Sequence, residues 1–383
     1  MPKVLIISYS DIDRDPRVLR QIDFFNRQGY QILLSALDYQ GSLSFYPLIK
    51  SKKTLARALK LAVMIGRLNR LRVWDFMRHS SAVDILKDHP ELDLIIANDA
   101  ETWPIGSFLK RNNKETKLIL DAHEFYPTQF TDNLKWTWFH SRFATFICKN
   151  YISHADLLIT VCDGLAEAYG PYTTKEVQVV MNAPKYESKI TPVPTGETIR
   201  IVHHGIANRS RKIEKMIELL DTLDTRFELN FILMPTDEIY LQELKKLAQG
   251  KSIKFFDPVA TESISNFINQ FDIGLFYLEP VNFNYTFALP NKFFEFIQAR
   301  LAIAIGPSIE MKKIVKREML GIISDEFDVK ELATSLNSLT SKDIDHFKSN
   351  ANRVAKKYSA DQHDKFYLNL IKEWDLLGKV NKV

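Results

Sequence analysis

Short apolar runs alternate with helical segments along the chain, and this rhythm constrains the fold more than any other feature. Buried strands of a parallel sheet are continuous apolar runs, and a crossover helix separates each strand from the next. The first series of runs covers residues 4–8, 31–36, 94–97, 117–121, 157–161 and 177–181. The second series covers residues 200–203, 227–233, 253–256, 273–276, 302–305 and 321–323. The pattern predicts an α/β protein with two doubly wound parallel-sheet domains.

A segment without periodicity separates the two series. Residues 183–198 contain three prolines and a glycine, which is typical of an interdomain linker. The chain has 383 residues, more than one hydrophobic core usually supports. We therefore predict an N-terminal domain over residues 1–183, a C-terminal domain over 184–360, and a final helix over 361–383 that crosses back to the first domain.

The composition is that of a soluble globular protein, with 45% hydrophobic and 26% charged residues. The two cysteines, Cys148 and Cys162, lack the spacing of a zinc site and the density of a disulfide scaffold, which favours a reducing cytoplasm. No apolar run reaches the roughly 18 residues of a membrane-spanning helix, and no signal peptide is evident at the start. We therefore predict a cytoplasmic location.

Positive charge is concentrated between residues 50 and 78, where nine Lys or Arg residues face one acid, Asp75. Apolar residues interleave with these cations, which indicates contact with an anionic membrane surface. The aromatic residues Trp136, Trp138 and Phe139 are further candidates for membrane docking. The alternatives are an ordinary surface helix for the basic segment and core packing for the tryptophans. Nucleic acid is not predicted as a partner, because no recognition fold accompanies the charge.

Ligands of open parallel sheets bind beyond the carboxyl ends of the strands, so the loops there are informative. After the first strand, Asp15 is predicted to cap a helix that begins at Pro16, with Arg17 in its first turn. Asp11, Asp13 and Asp15 have a spacing that also suits a metal ion. The arginines between them favour helix caps and ion pairs instead.

Further ionisable residues follow the third and fourth predicted strands. Asp99 lies in one of these loops, and Asp121, His123 and Glu124 gather in the other. A histidine at a strand end is a candidate for orienting a substrate hydroxyl or carbonyl, and a structural histidine is the alternative for His123. These loops offer no activated nucleophile, so they predict no catalytic triad.

The loop after the first strand of the second domain is basic. Gly205 turns the chain there, and Arg209, Arg211 and Lys212 precede a helix. Cations are unfavourable at a helix N-terminus unless an anion is bound, so the cluster predicts a diphosphate site. A solvated basic turn is the alternative.

Residues 288–305 combine a loop, a helix start and a strand. Pro290 suits the first helical position, which places Asn291 and Lys292 beside free backbone amides. Glu295 follows about one turn later, before an apolar strand. The segment predicts the binding of a nucleotide diphosphate, and an amphipathic helix with surface charges is the alternative.

Five segments carry a family resemblance, namely PNKFFEFIQARLAIAI, HHGIANRSRK, DAHEFYP, DPRVLRQIDFFNRQGY, and ADLLITVCDGLAEAYG followed by VMNAPKY. In order and spacing they resemble the GT-B-fold glycosyltransferases of family four, over almost the whole chain. The resemblance implies two Rossmann-like domains facing a cleft, with a nucleotide-sugar donor held mainly by the second domain. It also implies sugar transfer with retention of configuration and no obligatory metal or other cofactor.

The resemblance assigns donor-binding roles in the second domain. Glu295 matches the family's glutamate that holds the donor ribose, and Asn291 and Lys292 match the segment before it. Arg211 and Lys212 fall near the residues that neutralise the diphosphate.

In the first domain, His123 matches a histidine near the donor sugar. Asp15 and Arg17 match a D-x-R start found in one branch of the family, and Asp99 lies in a second loop at the cleft. Glu124 is a further candidate for this acceptor side.

Two departures from the family pattern concern the sugar. Phe287 occupies the position, eight residues before Glu295, of a second glutamate that faces the donor sugar. Asn284, Tyr285 or Thr286 are the candidates to replace its polar contacts. The glycine-rich first loop of many relatives is also replaced, by SYSDIDRD.

The resemblance thus implies a retaining glycosyltransferase that moves a sugar from a nucleotide diphosphate sugar to a hydroxyl of a glycan or lipid-linked acceptor, in polysaccharide or glycoconjugate synthesis. His123, Arg211 and Lys212 are its predicted catalytic residues. Two alternatives remain open: a nucleotide-sugar epimerase and a non-catalytic GT-B binding subunit.

Overall fold

The computed structural model describes residues 1–49 and 68–376. Residues 50–67 of the predicted membrane-binding segment lie outside the described residues. The chain divides into two compact units. Unit 1 comprises Met1–Met181, Asn282–Asn284 and Asp364–Val383, and unit 2 comprises Asn182–Val281 and Tyr285–His363.

Unit 1 is built on a seven-stranded sheet whose neighbouring strands are all parallel, in the order β3-β2-β1-β4-β5-β6-β7. Its strands are Lys3–Ile7 (β1), Gln31–Ala36 (β2), Ser44–Pro47 (β3), Leu94–Asn98 (β4), Lys117–Ala122 (β5), Leu157–Thr160 (β6) and Val177–Val179 (β7). The first helices of the chain are Pro16–Arg27 (α1), Asn69–His79 (α2), Ala82–Asp88 (α3), Trp103–Asn112 (α4), Leu134–Phe139 (α5), Ser141–Tyr151 (α6) and Asp163–Tyr169 (α7).

Unit 2 is built on a six-stranded parallel sheet with the order β10-β9-β8-β11-β12-β13. Its strands are Ile199–Ile206 (β8), Phe227–Met234 (β9), Ile253–Phe256 (β10), Ile273–Phe276 (β11), Ala302–Ile305 (β12) and Gly321–Ile323 (β13). The remaining helices are Glu214–Leu220 (α8), Glu238–Leu247 (α9), Ile264–Ile268 (α10), Phe283–Thr286 (α11), Asn291–Gln298 (α12), Ile309–Glu318 (α13), Val329–Asn337 (α14), Ser341–Val354 (α15) and Asp361–Glu373 (α16).

Helix α1 shows how local sequence signals and packing agree. The Asp15 side chain caps the helix by accepting from the amides of Arg17 and Val18, and Pro16 occupies the first helical position. The opposite end packs Phe24 and neighbouring residues into the core of unit 1. Tyr367 of α16 joins this core, with its ring centre 5.5 Å from that of Phe24. The last helix therefore completes the core beside the first.

The prediction of an α/β fold with two doubly wound parallel sheets is confirmed. Each of the twelve apolar runs overlaps an observed strand. Sequence reasoning missed β3, because SFYP is an edge strand with partly exposed residues and no apolar run. Within residues 1–49 and 68–376, no helix is long and apolar enough to cross a membrane.

A buried ion pair links two elements of unit 2. Lys348 of α15 donates to Asp272, which precedes β11, with 3.0 Å between Nζ and Oδ1. Both side chains are fully buried, and Asp272 also accepts from the Arg200 amide at 2.8 Å. The pair fixes α15 against the sheet.

We expect Lys348→Met to lower the stability of unit 2 by about 3 kcal/mol, because it removes the buried cation and leaves the buried carboxylate only the more distant Arg200 guanidinium, at 3.6 Å. Urea unfolding of the full chain followed by circular dichroism measures the effect. Lys342→Met is the matched control, since Lys342 is exposed on the same helix. Equal midpoints for the two variants would contradict a stabilising role for the pair.

Candidate functional site

Both sheets reverse their strand order at one point, between β1 and β4 in unit 1 and between β8 and β11 in unit 2. The connections on the two sides of such a point run in opposite directions, which opens a crevice at the carboxyl ends of the strands. Most of the predicted site residues follow these strands or their neighbours. Each unit therefore has its own candidate site, and we describe the two separately.

Asp99 is the centre of the site in unit 1. It directly follows β4 and has φ 67° and ψ 142°, a conformation that strongly favours glycine. Its carboxylate accepts from Tyr126 Oη at 2.9 Å and from the Tyr9 amide at 3.3 Å. Backbone strain of this kind persists where the surroundings hold it in place, and it is concentrated at functional sites.

His123 lies between two carboxylates. Its Nδ1 is 3.5 Å from Asp99 Oδ1, and its Nε2 is 3.7 Å from Asp121 Oδ1. Burial alone would lower the pKa of His123, but Asp121 and Asp99 outweigh burial and raise it. The His123 ring thus lies between the carboxylate that follows β4 and the one near the end of β5, and among the described residues its buried Nε2 atom has no hydrogen-bond partner. Both ring nitrogens face protein carboxylates, which supports the structural alternative more than contact with a sugar.

Arg17 corrects one sequence prediction. The side chain is 1% exposed, and it forms a two-pronged pair with Asp121 at 2.6 and 2.8 Å. Its third nitrogen donates to the Val180 carbonyl at 2.9 Å. Although burial alone would raise the pKa of Asp121, Arg17 and His123 hold it well below its usual range. Arg17 was predicted to contact an acceptor, but it is a buried structural cation.

The aspartates of the first loop are engaged in local hydrogen bonds. Asp11 accepts from the Asp13 amide, and Asp13 accepts from the Gln40 amide at 2.9 Å. Asp15 caps α1 and accepts from Ser10 Oγ at 2.8 Å, so the structure gives it a capping role, and its contact with an acceptor stays a prediction. Among the residues that the structure describes, no group of three or more His, Cys, Asp or Glu side chains has an arrangement suited to a metal ion.

Glu101 is a member of this site that sequence reasoning did not single out. It lines a cavity of about 40 Å³ together with Tyr126, Gln129 and Trp136. Burial raises the pKa of Glu101 to about 7, and the carboxylates of Asp99 and Glu124 add to the shift. The predicted residue Glu124 accepts from Gln129 Nε2 at 2.6 Å. This carboxylate cluster therefore carries a proton near neutral pH.

The candidate site in unit 2 includes Gly205, which lies near the end of β8. Gly205 has φ 131°, and a Cβ atom there would lie 2.4 Å from Lys292 Nζ and 3.4 Å from Arg211 Nη1. Glycine is therefore needed both for the conformation and for the approach of two cations. Arg211 comes from the loop after β8 and Lys292 from the first turn of α12, so two connections converge here.

Lys292 is 7% exposed, and its Nζ donates to the His204 carbonyl at 2.7 Å. Burial, together with the nearby Arg211, lowers the pKa of Lys292 well below its usual value. Within the described part of the chain, no hydrogen-bond or ion-pair partner is found for the side chain of Arg211. A cation without a protein partner beside a buried lysine is suited to an anionic ligand.

Glu295 lies on the same helix as Lys292, and it is also 7% exposed. Its Oε2 is 3.4 Å from His204 Nε2. Burial, Lys292 and Arg211 lower the pKa of His204 well below its usual value, so a neutral imidazole faces this carboxylate. Lys292, Glu295 and Gly205 are thus brought together around His204, and the donor-binding role of these residues stays a prediction.

Other predicted donor-binding residues have different positions. Pro290 is the N-cap of α12, with φ −80° and ψ 159°, rather than its first helical residue, and Asn291 begins the helix. The backbone of Pro290 is extended and comes just before the first turn of the helix. Thr286 ends α11, beside Tyr285, whose hydroxyl lies 2.8 Å from Ser210 Oγ. This hydrogen bond joins the α11 segment to the loop after β8.

Two cations of the predicted basic cluster are neutralised by the protein. Arg209 is paired with Glu243 at 2.7 and 2.8 Å and with Asp237 at 3.3 Å. Lys212 is paired with Glu279. Arg209 therefore does not belong to a free anion site, and Lys292 rather than Lys212 is the second cation beside Arg211. The sequence places Lys212 next to Arg211, and it does not show that Lys292 is the lysine beside Arg211 in space.

Comparison with known proteins identifies the fold. No family model and no curated protein matches the sequence. HepE from Anabaena, in complex with UDP and glucose, matches with a TM-score of 0.68 and 13% identity, over 97% of this chain and 100% of HepE. Sucrose-phosphate synthase from Thermosynechococcus elongatus matches with a TM-score of 0.72 and 12% identity, over 97% and 99%. These neighbours are GT-B proteins, and the chain has the GT-B fold.

We expect the Glu101 carboxyl to make stability pH-dependent. Its pKa of about 7 in the folded chain exceeds its ordinary value of 4.5, so the folded state binds more protons between these two pH values. The stability that this protonation contributes is complete below the lower pKa and is lost as the pH rises through the upper one, by roughly 3 kcal/mol. Glu101→Gln should remove this loss and become the more stable variant above about pH 7. Urea unfolding at several pH values measures the difference, and parallel pH profiles for the two proteins would refute it.

Proposed function

We propose that the protein is a retaining glycosyltransferase of the family-four type, which transfers a sugar from a nucleotide diphosphate sugar to a hydroxyl of a glycan or lipid-linked acceptor. The observation that carries the proposal is the convergence of Arg211 and Lys292 at Gly205, with Glu295 on the same helix as Lys292. The proposed setting is the cytoplasm, in the synthesis of cell-surface polysaccharide or glycoconjugate. Domains over residues 1–183 and 184–360 are proposed to hold acceptor and donor, respectively.

The proposed mechanism depends on where negative charge develops during sugar transfer. The diphosphate gains negative charge as the glycosidic bond breaks, so groups that bind it more strongly at that stage accelerate the reaction. Arg211 and Lys292 supply two cations, and the first turn of α12 adds backbone amides and the positive end of the helix dipole. The proposed donor contacts thus stabilise the leaving group.

The remaining contacts concern the nucleoside and the sugar. Glu295 is proposed to accept hydrogen bonds from the ribose hydroxyls, as the family resemblance implies. Phe287 has no carboxylate to offer a sugar, so Tyr285 and Thr286 are proposed to supply polar contacts there. HepE is in complex with UDP-glucose in one of the neighbouring structures, which supports UDP and UDP-glucose as the first ligands to test.

Binding of UDP should depend on Arg211 but not on Arg209. Arg211→Ala is expected to weaken binding by roughly 10- to 100-fold, since a charge-assisted contact to the diphosphate is lost. Arg209→Ala is the matched control, because Glu243 and Asp237 already neutralise that cation. Isothermal titration calorimetry measures both affinities. Equal weakening by the two substitutions would contradict the assigned diphosphate site.

Binding of UDP should also be linked to proton uptake. Lys292 has a lowered pKa without ligand, and an anion beside it favours the charged form. Affinity is therefore expected to rise as the pH falls through the lowered pKa of Lys292. Calorimetry in buffers of different ionisation enthalpy measures the proton uptake, and Lys292→Met should abolish it. Uptake that persists in this variant would assign the proton to another group.

Product analysis separates the proposed activity from its alternatives. A transferase releases UDP from UDP-glucose faster in the presence of an acceptor mixture, whereas an epimerase converts the sugar nucleotide without any acceptor. A binding subunit would bind UDP through Arg211 and release no product in either assay. Chromatography of the nucleotides distinguishes these outcomes, and acceptor-independent epimerisation would overturn the proposed function.

A further inference from the structure

Helix α2 of unit 1 exposes apolar side chains that a water-facing helix normally avoids. Leu71 and Trp74 are 46% and 53% exposed and lie about one turn apart. Arg70 and Arg78 are exposed on the same helix, and the guanidinium carbon of Arg78 is 4.9 Å from the centre of a Trp74 ring. Tryptophan flanked by arginine is suited to a boundary between water and an apolar phase.

Helix α5 has the same character. Leu134 and Trp138 are 76% and 75% exposed, and they lie one helical turn apart. Lys135 between them is also exposed, and no residue of this helix is buried. Packing within the unit therefore does not account for the two large apolar side chains.

Arg72 connects these helices. Its Nη1 donates to the Phe139 carbonyl at the end of α5, at 3.1 Å, and its guanidinium carbon is 3.7 Å from the ring centre of Phe143 on α6. The two sets of exposed side chains consequently belong to neighbouring elements of unit 1. We name this region the Trp74–Trp138 surface, and its members are Leu71, Trp74, Arg78, Leu134, Lys135 and Trp138.

The charge of the surrounding sequence indicates what kind of partner covers this surface. Residues 50–67, which lead into α2, contain six Lys or Arg residues and no acid. Asp75, the acid of α2, is 9% exposed. Exposed Trp and Leu side chains with cations at their edges match a bilayer of anionic lipid, where the rings enter the interface and the cations meet the headgroups.

We propose that the Trp74–Trp138 surface docks unit 1 onto an anionic lipid bilayer. The bilayer replaces water around the apolar side chains, and Arg78 and Lys135 pair with lipid headgroups. This surface is separate from the residues of unit 2 that form the proposed diphosphate site. Its test is therefore independent of UDP binding.

Sedimentation with vesicles tests the proposal on the full chain. We expect binding to vesicles of phosphatidylcholine mixed with phosphatidylglycerol, weakened by added salt, and little binding to phosphatidylcholine alone. No binding to the mixed vesicles, or equal binding to both kinds, would overturn an anionic bilayer as the occupant.

Substitutions locate the contact. Leu134→Ser with Trp138→Ser should weaken binding to the mixed vesicles by about tenfold or more, because two apolar side chains no longer enter the lipid. Ile239→Ser on α9 is the matched control, since Ile239 is 71% exposed in unit 2. The far-ultraviolet circular dichroism and the urea unfolding midpoint of each variant check that the chain is folded. Unchanged vesicle binding in the double variant would overturn the assigned surface. The proposal would also be overturned if the unmodified chain did not bind vesicles but self-associated, and the double variant abolished that self-association.

Discussion

Parallel strand pairing is the constraint on which both candidate sites depend. Because neighbouring strands run in the same direction, their carboxyl ends meet at one edge of each sheet, and the loops that follow them are brought together. In unit 2, this places the loop after β8 beside the segment that follows β11, although Gly205 and Lys292 are 87 positions apart in the sequence. The residues of such a site need not be close to one another in the sequence, and no separate binding domain is required.

The partners of each charged side chain distinguish structural charges from candidate ligand contacts. Arg17 is buried against Asp121, and Arg209 forms a fork with Glu243, so both cations are already compensated within the protein. Arg211 differs because, in residues 1–49 and 68–376, no carboxylate or carbonyl group compensates it. The cations that the sequence presents as one basic cluster therefore differ in whether the protein already neutralises their charge.

The fold was largely predictable because buried parallel strands leave continuous apolar runs, as in Ala302–Ile305, that need no knowledge of their neighbours. The site was predictable only in part. Glu295 and Gly205 lie in recognisable local motifs, whereas the partnership of Arg211 with Lys292 depends on the pairing of β8 with β11. The strained backbone of Asp99 and the burial of Glu101 likewise arise from tertiary contacts. No local spacing encodes them.

The low pKa of Lys292 explains how two basic side chains can share a confined site. If both were charged, their repulsion and the burial of Lys292 would oppose folding, and the neighbouring Glu295 offsets these costs only in part. A neutral amine can still donate to the His204 carbonyl, so the side chain stays in place without its charge. In the proposed function, the diphosphate of the donor supplies the missing negative charge and makes the protonated form favourable. The site is therefore ordered before an anion binds, and its full positive charge develops with that anion.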